Sequence, residues 1–466
     1  MPSPPPHQDY DGRYRTALRV LRHRRSREIP MKSSRRNARG EASLERILEA
    51  TVQLVGRYGY DNTTIARIVK ATQRPASSIY WYFENKDQLI AAALENSYSQ
   101  VVPSRRPWSQ FEPARPLLDQ LLDELTPELR ASESEAPLRQ GIMLALEGSA
   151  AASQVQEPFQ RRRAGAQRRI VAWWATAFAA ENNADAAEDA TGIEWMGLLT
   201  LAFLDGHYIS DVEVDDRDAA HRSKIVANAL EGAFNALTGG EQSIPLVTSE
   251  GPGRSAEADA DATDLLHVTR MLVAEHGYEG ATMSRICAAS GMQRSSIYWR
   301  YKDKDSLVKA AVADPFLALL KPLGSLSTSA EQWLEQLSGA LRTLMCRVTE
   351  QPETVKAGLL LKIQRWDPPT AAGSAVVAGA HEVELRLAAW LDEVLPAPEG
   401  AESIGGHLAW TVARFGEGLM LASALGRTVA ADSVATMLVP MLSNALKQWP
   451  SGGMVGAPTV IGLSKH

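Results

Sequence analysis

Residues 46–94 read RILEATVQLVGRYGYDNTTIARIVKATQRPASSIYWYFENKDQLIAAAL, and residues 264–312 read DLLHVTRMLVAEHGYEGATMSRICAASGMQRSSIYWRYKDKDSLVKAAV. The two stretches align without a gap at an offset of 218 residues, and 20 of the 49 aligned positions are identical. A period this long excludes a solenoid of short repeats. It indicates instead that one whole domain was duplicated.

Each copy carries the pattern of a helix-turn-helix. In the first copy, an apolar stripe at helical spacing predicts a helix that stops at Gly59, because glycine tolerates a positive φ. Thr64 then caps a short second helix. Pro75 suits the first position of a third helix, since its missing N–H costs nothing there, and we expect this helix to end near Phe83. Two short helices joined by a tight turn make a helix-turn-helix.

The third helix presents aromatic rings on its exposed face. Ile79 lies on the side that faces the core, whereas Tyr80 and Trp81 point away from it. Two exposed rings suit insertion into the DNA major groove, where side chains reach base edges and thymine methyl groups. The alternative is that they pack against a neighbouring domain. The second copy repeats the same exposed residues, which favours DNA binding.

The pattern T-x-x-x-I, a turn, SSIYWYF and NKDQL resembles the DNA-binding segment of the TetR family of bacterial transcriptional repressors. The second copy, TMSRICAASGMQRSSIYWRYKDKDSL, is equally similar. The resemblance covers about 50 residues per copy. It implies an all-α fold of two TetR-like units, each a three-helix DNA-binding head followed by a helical domain for ligand binding and dimerisation. The two units then form a pseudo-twofold dimer within one chain.

The resemblance also assigns contact residues by position. Base-facing residues fall on Ala76, Ser77, Tyr80 and Trp81 in the first head and on Arg294, Ser295, Tyr298 and Trp299 in the second. Phosphate contacts fall on Thr64, Ser78, Tyr82 and Lys86, and on Thr282, Ser296, Arg300 and Lys304. The second copy keeps the usual Gly-apolar turn as Gly291 and Met292, but the first has Gln73 and Arg74. This difference leaves the turn geometry of the first head open and makes Arg74 an additional phosphate contact.

The two heads differ in ways that predict an imperfect palindrome as the operator. Arg294 has a planar donor fork that can bind guanine, while Ala76 offers a methyl group suited to thymine. Arg35, Arg36 and Arg39 precede only the first head, so we expect an extra salt-sensitive contact near that half-site.

Charge is distributed unevenly along the 466 residues. The net charge is −6, but residues 1–100 contain 17 Lys and Arg against 10 Asp and Glu. Residues 1–40 therefore look like a flexible cationic arm. The alternative that translation begins at Met31 leaves Arg35, Arg36 and Arg39 in place.

The composition favours a cytoplasmic protein. Two cysteines form neither a disulfide framework nor a zinc site, which fits a reducing compartment. The chain has no apolar run suited to a signal peptide or to a membrane span, so we expect no membrane partner.

The repeat divides the chain into seven segments. These are the arm (1–40), a first head (41–96), a first helical domain (97–238), a linker (239–263), a second head (264–313), a second helical domain (314–450) and a tail (451–466). FLDG at 203–206 and FGEG at 415–418 lie at equivalent positions near the ends of the helical domains. They suggest that both halves keep the final helix pair that forms the dimer interface in the family, although a core role for these stripes is equally compatible with the sequence.

The linker is long enough to bring the two heads together. Its 25 residues have a typical reach of about 25–30 Å, so the second head can pack beside the first. The two recognition helices are then expected about 34 Å apart, which is one turn of DNA.

A small-molecule effector is expected from the resemblance alone. Polar and aromatic residues in the helical domains are candidates for its pocket, and each is also compatible with a core role: Gln140, Met143, Trp174, Trp195, His207, Gln364, Trp390 and Trp410. The sequence contains no HExxH, nucleophile elbow, P-loop or dinucleotide fingerprint, so we expect no enzyme activity, metal or cofactor.

The predicted function is a ligand-responsive repressor that binds a double-stranded DNA operator with two heads from one chain. Two alternatives remain. In one, a single head binds DNA and the chain acts as a homodimer. In the other, the protein is a small-molecule-binding or scaffolding protein that does not bind DNA.

Overall fold

A computed structural model describes residues 35–100, 107–108, 110–130, 136–147, 153–182, 190–210, 216–239, 264–327, 332–364, 369–397, 403–427 and 429–447. Those residues are overwhelmingly helical and include no strand, as the all-α prediction requires. The C-terminal tail, all of the predicted linker after Gly239 and residues 1–34 of the arm lie outside them. In the described ranges, no helix combines the length and the apolar content that a membrane span needs.

Two similar helical units follow each other along the chain. The helices of the first unit are α1 (Arg35–Asn62), α2 (Ile65–Thr72), α3 (Ala76–Tyr80), α4 (Lys86–Gln100), α5 (Leu117–Arg130), α6 (Ala136–Leu146), α7 (Ser153–Asn182), α8 (Ala190–Ser210) and α9 (Asp216–Thr238). Those of the second unit are α10 (Leu265–Gly280), α11 (Met283–Ser290), α12 (Arg294–Arg300), α13 (Lys304–Val308), α14 (Asp314–Leu320), α15 (Trp333–Glu350), α16 (Pro352–Ile363), α17 (Ala371–Val394), α18 (Gly405–Ala424) and α19 (Ala431–Lys447). A short π-helix (Lys309–Ala313) joins α13 to α14, and a short 3-10 helix (Lys321–Gly324) follows α14.

Each head packs one longer helix and two short ones around a small apolar core. In the first head this core includes Ile47, Ile68 and Ile79, all of them inaccessible to solvent. In the second head, Ile286 and Ile297 occupy the corresponding positions. The first helix of each head bends at a glycine, and Gly59 has a φ of 71° as the sequence predicted.

Three predicted boundaries at the first head are wrong. The arm was expected to be flexible to residue 40, but α1 begins at Arg35, because no proline lies between Pro30 and Pro75 and Arg, Ala and Glu favour helix. The third helix begins at Ala76 rather than at Pro75, and Pro75 is its N-cap residue. It also ends at Tyr80 rather than near Phe83, because the Tyr82 N–H bonds to the Ile79 carbonyl and tightens the chain.

The last two helices of each unit form the largest contact between the units. Helix α8 lies along α18, and α9 lies along α19. The rings of Phe203 and Phe415, the aromatic residues of FLDG and FGEG, stack with centroids 5.1 Å apart. On α9 and α19, the Asn444 side chain donates to the Asn228 carbonyl at 2.8 Å. The packing of these helices against each other is therefore the one that the sequence suggested.

Candidate nucleic-acid interface

The second helix of each head begins at a threonine that is capped in the same way in both copies. The Thr64 hydroxyl oxygen accepts a hydrogen bond from the Arg67 backbone N–H at 3.3 Å, and Thr282 accepts from Arg285 at the same distance. Each bond satisfies one of the free donors at a helix start. Both threonines are exposed, so their predicted phosphate contacts are sterically open.

The turn between the two helices has the same conformation in both heads. Gln73 has φ 52° and ψ 33°, and Gly291 has φ 67° and ψ 3°. Both values lie in the left-handed region, which glycine adopts freely and other residues adopt at a cost. The first head therefore keeps the turn geometry without the glycine. Arg74, the predicted additional phosphate contact, is partly buried in this turn.

The third helix is held by one isoleucine and presents its aromatic residues to solvent. Ile79 is fully buried, while the exposed fractions of Tyr80 and Trp81 are 48% and 58%. In the second head, those of Tyr298 and Trp299 are 40% and 86%. Such large apolar side chains usually find a partner, and within the described residues these faces are open. The predicted exposure of these aromatic residues is confirmed, and their contact with bases stays a prediction.

The second head carries a charged partner for one of these rings. The Arg294 guanidinium donates to the Tyr298 hydroxyl oxygen at 3.4 Å and lies 5.6 Å from the centre of the ring. This hydrogen bond raises the already high pKa of Arg294. Ala76 stands at the equivalent position of the first head. The two exposed faces therefore differ by one guanidinium group, and the hydrogen bond to Tyr298 holds that group along the helix.

One lysine in each head, predicted to contact phosphate, makes contacts within its own head. The Lys86 ammonium donates to the Tyr60 carbonyl at 2.9 Å and lies 3.7 Å from the centre of the Tyr60 ring. Lys304 makes the same contacts with the carbonyl and ring of Tyr278. Desolvation lowers the pKa of both lysines. The contact of these lysines with phosphate stays a prediction. Each ammonium group already donates to a tyrosine carbonyl, so it would have to bind phosphate in addition or leave that carbonyl.

The remaining residues predicted to contact DNA lie around these faces. Ser77, Ser295, Ser296 and Arg300 are exposed, and Ala76, Ser78 and Tyr82 are partly exposed. The Tyr82 hydroxyl donates to the Gly40 carbonyl at 3.3 Å, which joins the third helix region to the start of α1. Arg35, Arg36 and Arg39 lie in the first turns of α1, at the N-terminal end of the same head.

Comparison with known families agrees with this geometry. The family described as bacterial regulatory proteins of the tetR family matches the chain twice, at residues 47–93 and 265–311. The chain is a tandem fusion of two TetR-family units. It is therefore a DNA-binding transcriptional regulator of that family. Among curated proteins, none matches the chain.

The two TetR-family heads contact each other directly. Arg285 of the second head forms an ion pair with Asp61 of the first at 2.7 Å, and His276 lies 3.4 Å from the same carboxylate. Arg285 is identical to Arg67 of the first head, but the Arg67 guanidinium instead stacks over the Tyr58 ring. The sequence shows that both copies keep this arginine. It does not show that only Arg285 contacts the other head.

A buried carboxylate from the first helical domain also lies between the two TetR-family heads. The Glu147 side chain, at the end of α6, accepts from the Tyr60 backbone N–H at 3.0 Å. A Cβ atom at Gly59 would lie 2.6 Å from this carboxylate, and one at Gly277 would lie 2.8 Å from it. Burial raises the pKa of Glu147 to about 8, against the lowering effect of the Tyr60 hydrogen bond. Both helix bends therefore pack against one side chain that the sequence did not single out.

The eight residues predicted to contact the effector lie in both units, and five of them belong to the large hydrophobic core. Seven of them are buried: Met143, Trp174, Trp195, His207, Gln364, Trp390 and Trp410. The Trp174 indole donates to the Thr200 hydroxyl oxygen at 3.0 Å, and the Trp390 indole donates to the Ser327 carbonyl at 2.7 Å. Gln140 is partly buried near Gly56 of the first head. This packing favours the core role that the sequence left open for these residues.

Proposed function

We propose that the two heads of this TetR-family regulator bind the two halves of one imperfectly palindromic operator from a single chain. We further propose that the protein represses transcription there and is released by a small, largely apolar effector. The observation that carries the proposal is the pair of exposed aromatic faces on α3 and α12, which two heads of one folded chain present together.

The contacts between the heads support simultaneous binding. The Asp61–Arg285 ion pair and the shared packing around Glu147 join the heads on one side. The contact of α8 and α9 with α18 and α19 joins the helical domains on the other. Because both contacts lie within the chain, the second head binds at a high effective concentration once the first is on DNA.

The residues at the faces support an asymmetric operator. Arg294 brings donors suited to guanine, whereas Ala76 brings a methyl group. In addition, Arg35, Arg36 and Arg39 add positive charge beside the first head only. Removal of residues 1–40 is expected to reduce the salt dependence of operator binding.

Gel-shift experiments with the DNA that flanks the protein's own gene test the proposal. Tyr80→Ala and Tyr298→Ala should each weaken a sequence-specific shift, by about 5- to 150-fold if each ring contributes about 1–3 kcal/mol. Leu385→Ala is the matched control, because this exposed leucine lies on α17, away from both recognition helices. The Leu385→Ala variant should bind as the unchanged protein does.

Each alternative gives a distinct result in the same experiment. If only one of the two tyrosine substitutions weakens the shift, one head binds DNA and the chain acts as a homodimer. If neither weakens it, or no specific shift occurs, the protein does not act as an operator-binding regulator. Light scattering of the complex measures one or two chains of 50.7 kDa per operator and checks the first of these outcomes independently.

Repression is tested by transcription from the same DNA in a purified system. Added protein should lower transcript yield from the promoter that overlaps the operator. An increase in yield would identify an activator.

A further inference from the structure

Glu147, the residue that follows α6, lies at the junction between the first helical domain and both heads. Its side chain is almost fully buried, with 3% exposed. One carboxyl oxygen accepts from the Tyr60 backbone N–H at 3.0 Å. The other lies against the bends of both heads, because a Cβ atom at Gly59 would lie 2.6 Å from it and one at Gly277 would lie 2.8 Å from it. A movement of either head relative to α6 therefore changes the surroundings of this carboxyl group.

The ends of α6 and α16 are equivalent positions of the two units. Gly141 on α6 lies against Tyr98, and Gly358 on α16 lies against Phe316. Tyr98 and Phe316 are separated by 218 residues, which is the offset of the repeat, so the two glycines correspond. The two helices therefore align at an offset of 217 residues, and this alignment pairs residue 147 with residue 364.

Gln364 occupies this position in the second unit, and it is a neutral side chain. Its exposed fraction is 4%, and its amide donates to the Arg57 carbonyl of the first head at 3.2 Å. A protonated carboxyl group is the closest chemical equivalent of this amide, because both are neutral and both combine a donor with an acceptor. The equivalence with Gln364 therefore favours a protonated Glu147 in the folded arrangement.

The charged groups around Glu147 do not keep it ionised. Lys86 on α4 and Lys356 on α16 favour its ionised form, and Asp61 on α1 opposes it. Within the described residues, neither lysine forms an ion pair with Glu147, and the Lys86 ammonium donates to the Tyr60 carbonyl instead. Burial outweighs the two lysines and raises the pKa of Glu147 to about 8.

The other elements at this site bring Glu147 no direct cationic contact. On α7, the Gln156 amide donates to the backbone carbonyl of Glu147 at 3.1 Å. On α10, His276 lies 3.4 Å from the carboxylate of the aspartate on α1, and Glu275 acts on Lys356. Loss of the proton would therefore leave a buried carboxylate without an ion-pair partner.

Such a charge is costly to bury, and a small displacement of either head bend would let water reach it. The arrangement with both heads packed on Glu147 retains the proton, whereas a solvated carboxyl group loses it near pH 4.5. The packed arrangement is therefore favoured at low pH, and this advantage is lost as pH rises to about 8.

We propose that protonated Glu147 holds the two heads in the relative position that the operator requires, and that its ionisation releases them and weakens operator binding. Released heads bind less tightly because the second head is then at a lower effective concentration near its half-site. The proposal rests on the function proposed above. It adds that the operator-bound chain retains a proton that the released chain has lost.

Pulsed electron paramagnetic resonance between the heads tests this positioning without DNA. Ala66→Cys and Ser284→Cys place spin labels at equivalent exposed positions of α2 and α11, in a chain whose Cys287 and Cys346 are replaced by alanine. We expect one narrow distance distribution at about pH 6.5 and a broader one at about pH 9. Glu147→Gln should keep the narrow distribution at both pH values, because its amide stays neutral. Distributions that are independent of pH, or that change equally in both proteins, would overturn the proposal.

Operator affinity over the same pH range tests the consequence for DNA binding. The unchanged protein should lose at least 5-fold more affinity than Glu147→Gln, because one proton changes an equilibrium by up to about 10-fold per pH unit. The ratio of the two proteins removes the titration of the other groups. Glu350→Gln, an exposed change on α15, is the matched control and should follow the unchanged protein. A ratio that stays constant with pH would overturn the proposal.

Gln364→Glu is the converse change, because it places a second acid at the equivalent position. It should steepen the loss of affinity with pH and broaden the distance distribution further at about pH 9. Circular dichroism at about pH 6.5 verifies that each variant is folded. If Glu147→Gln does not fold, Gln364→Glu decides the test, and a pH profile unchanged by it would overturn the proposal.

The two kinds of measurement separate the possible failures. A head distance that depends on pH through Glu147, without any sequence-specific shift, refutes the proposed function and supports the role of Glu147. A specific shift with a head distance independent of pH refutes the role of Glu147 alone.

Discussion

The α-carbon of Gly206 on α8 lies against the backbone carbonyl of Arg414 on α18, so closely that a Cβ at this position would overlap the carbonyl oxygen. Gly418 has the same relationship with the Ala202 carbonyl. Gly206 is the counterpart of Gly418, and Ala202 is the counterpart of Arg414. Each contact is thus the other with the two units exchanged, as in a symmetric dimer interface. The glycines allow the helix backbones to approach each other closely.

We expect Gly206→Ala to weaken the contact between the units. A methyl group there forces two helix backbones apart and should cost about 1–3 kcal/mol or more in the free energy of unfolding. Gly406→Ala is the control, because it makes the same change on α18 in open space. Urea unfolding followed by circular dichroism measures both. Equal stability of the two variants would contradict the close approach.

Gln73→Gly should stabilise the first head. Gln73 has a left-handed φ of 52° that costs a non-glycine residue about 1 kcal/mol. The reverse change, Gly291→Gln, should destabilise the second head through backbone strain alone, because a Cβ at Gly291 meets no atom within 4 Å. Hydrogen exchange of the amides in α2 and α11 reports on each head separately. Opposite signs for the two variants are the expected result.

Arg294→Ala should relax sequence preference in one half of the operator. Loss of a bidentate contact with guanine costs about 1–3 kcal/mol, which is about 5- to 150-fold in affinity for the preferred base. Arg300→Ala, which removes a predicted phosphate contact from the same helix, should weaken binding to all sequences equally. Binding selection with randomised half-sites distinguishes them. A symmetric site that is insensitive to Arg294→Ala would argue against different half-sites.

Arg285→Gln should loosen the spacing between the two heads. The Asp61–Arg285 pair is partly exposed and contributes well under about 1 kcal/mol to stability, so global unfolding should barely change. Its removal instead frees one head relative to the other. Operators with half-sites moved apart by single base pairs measure this: the unchanged protein should prefer one spacing and Arg285→Gln should accept more.

Arg67→Gln is the control for that experiment, because the Arg67 guanidinium stacks on Tyr58 in its own head. Exchange of the charges, Asp61→Arg with Arg285→Asp, should restore the single preferred spacing. If Arg285→Gln and Arg67→Gln broadened the preference equally, the ion pair would not set the spacing.

Glu147 should make stability depend on pH in a defined window. Burial raises its pKa from 4.5 to about 8, so the folded chain retains a proton that the unfolded chain has lost between these values. Stability therefore falls as pH rises from about 4.5 to about 8, with a slope of at most about 1.4 kcal/mol per pH unit from this group. Asp61, Lys86 and Lys356 are the charged groups that act on it.

Glu147→Gln should remove this contribution, because an amide oxygen still accepts from the Tyr60 N–H but does not titrate. The difference between the urea unfolding curves of the two proteins, measured across the window, isolates the group. Glu350→Gln, an exposed change at the end of α15, is the control. A constant difference at all pH values would show that Glu147 is ionised in the folded protein.

The heads were predictable because their determinants are local. Helix periodicity, the Thr64 and Thr282 caps and the burial of Ile79 beside exposed Tyr80 depend on residues within a few positions of one another. Because the domain is duplicated, the same pattern occurs twice in the sequence, and each copy supports the interpretation of the other. Where local signals were weak, as at the start of α1 and the end of α3, the predicted boundaries were wrong.

The relationship between the two units was decided by tertiary structure. The sequence showed small residues on α8 and α18, but the same stripe fits a core or an interface until the Gly206–Arg414 contact is seen. Likewise, Arg67 and Arg285 occupy equivalent positions of the same motif. Only the packing of the two heads brings Arg285, and not Arg67, into contact with the other head. Contacts between residues about 200 positions apart depend on how two folded units meet, which no local pattern encodes.

Sequence alone therefore determined that this chain has two helix-turn-helix heads of one family. Only the folded chain decided that Glu147 lies against both helix bends and that Gly206 lies against the Arg414 carbonyl. The physical reason is that propensity and capping act along the chain, whereas close packing acts between surfaces that the chain brings together afterwards.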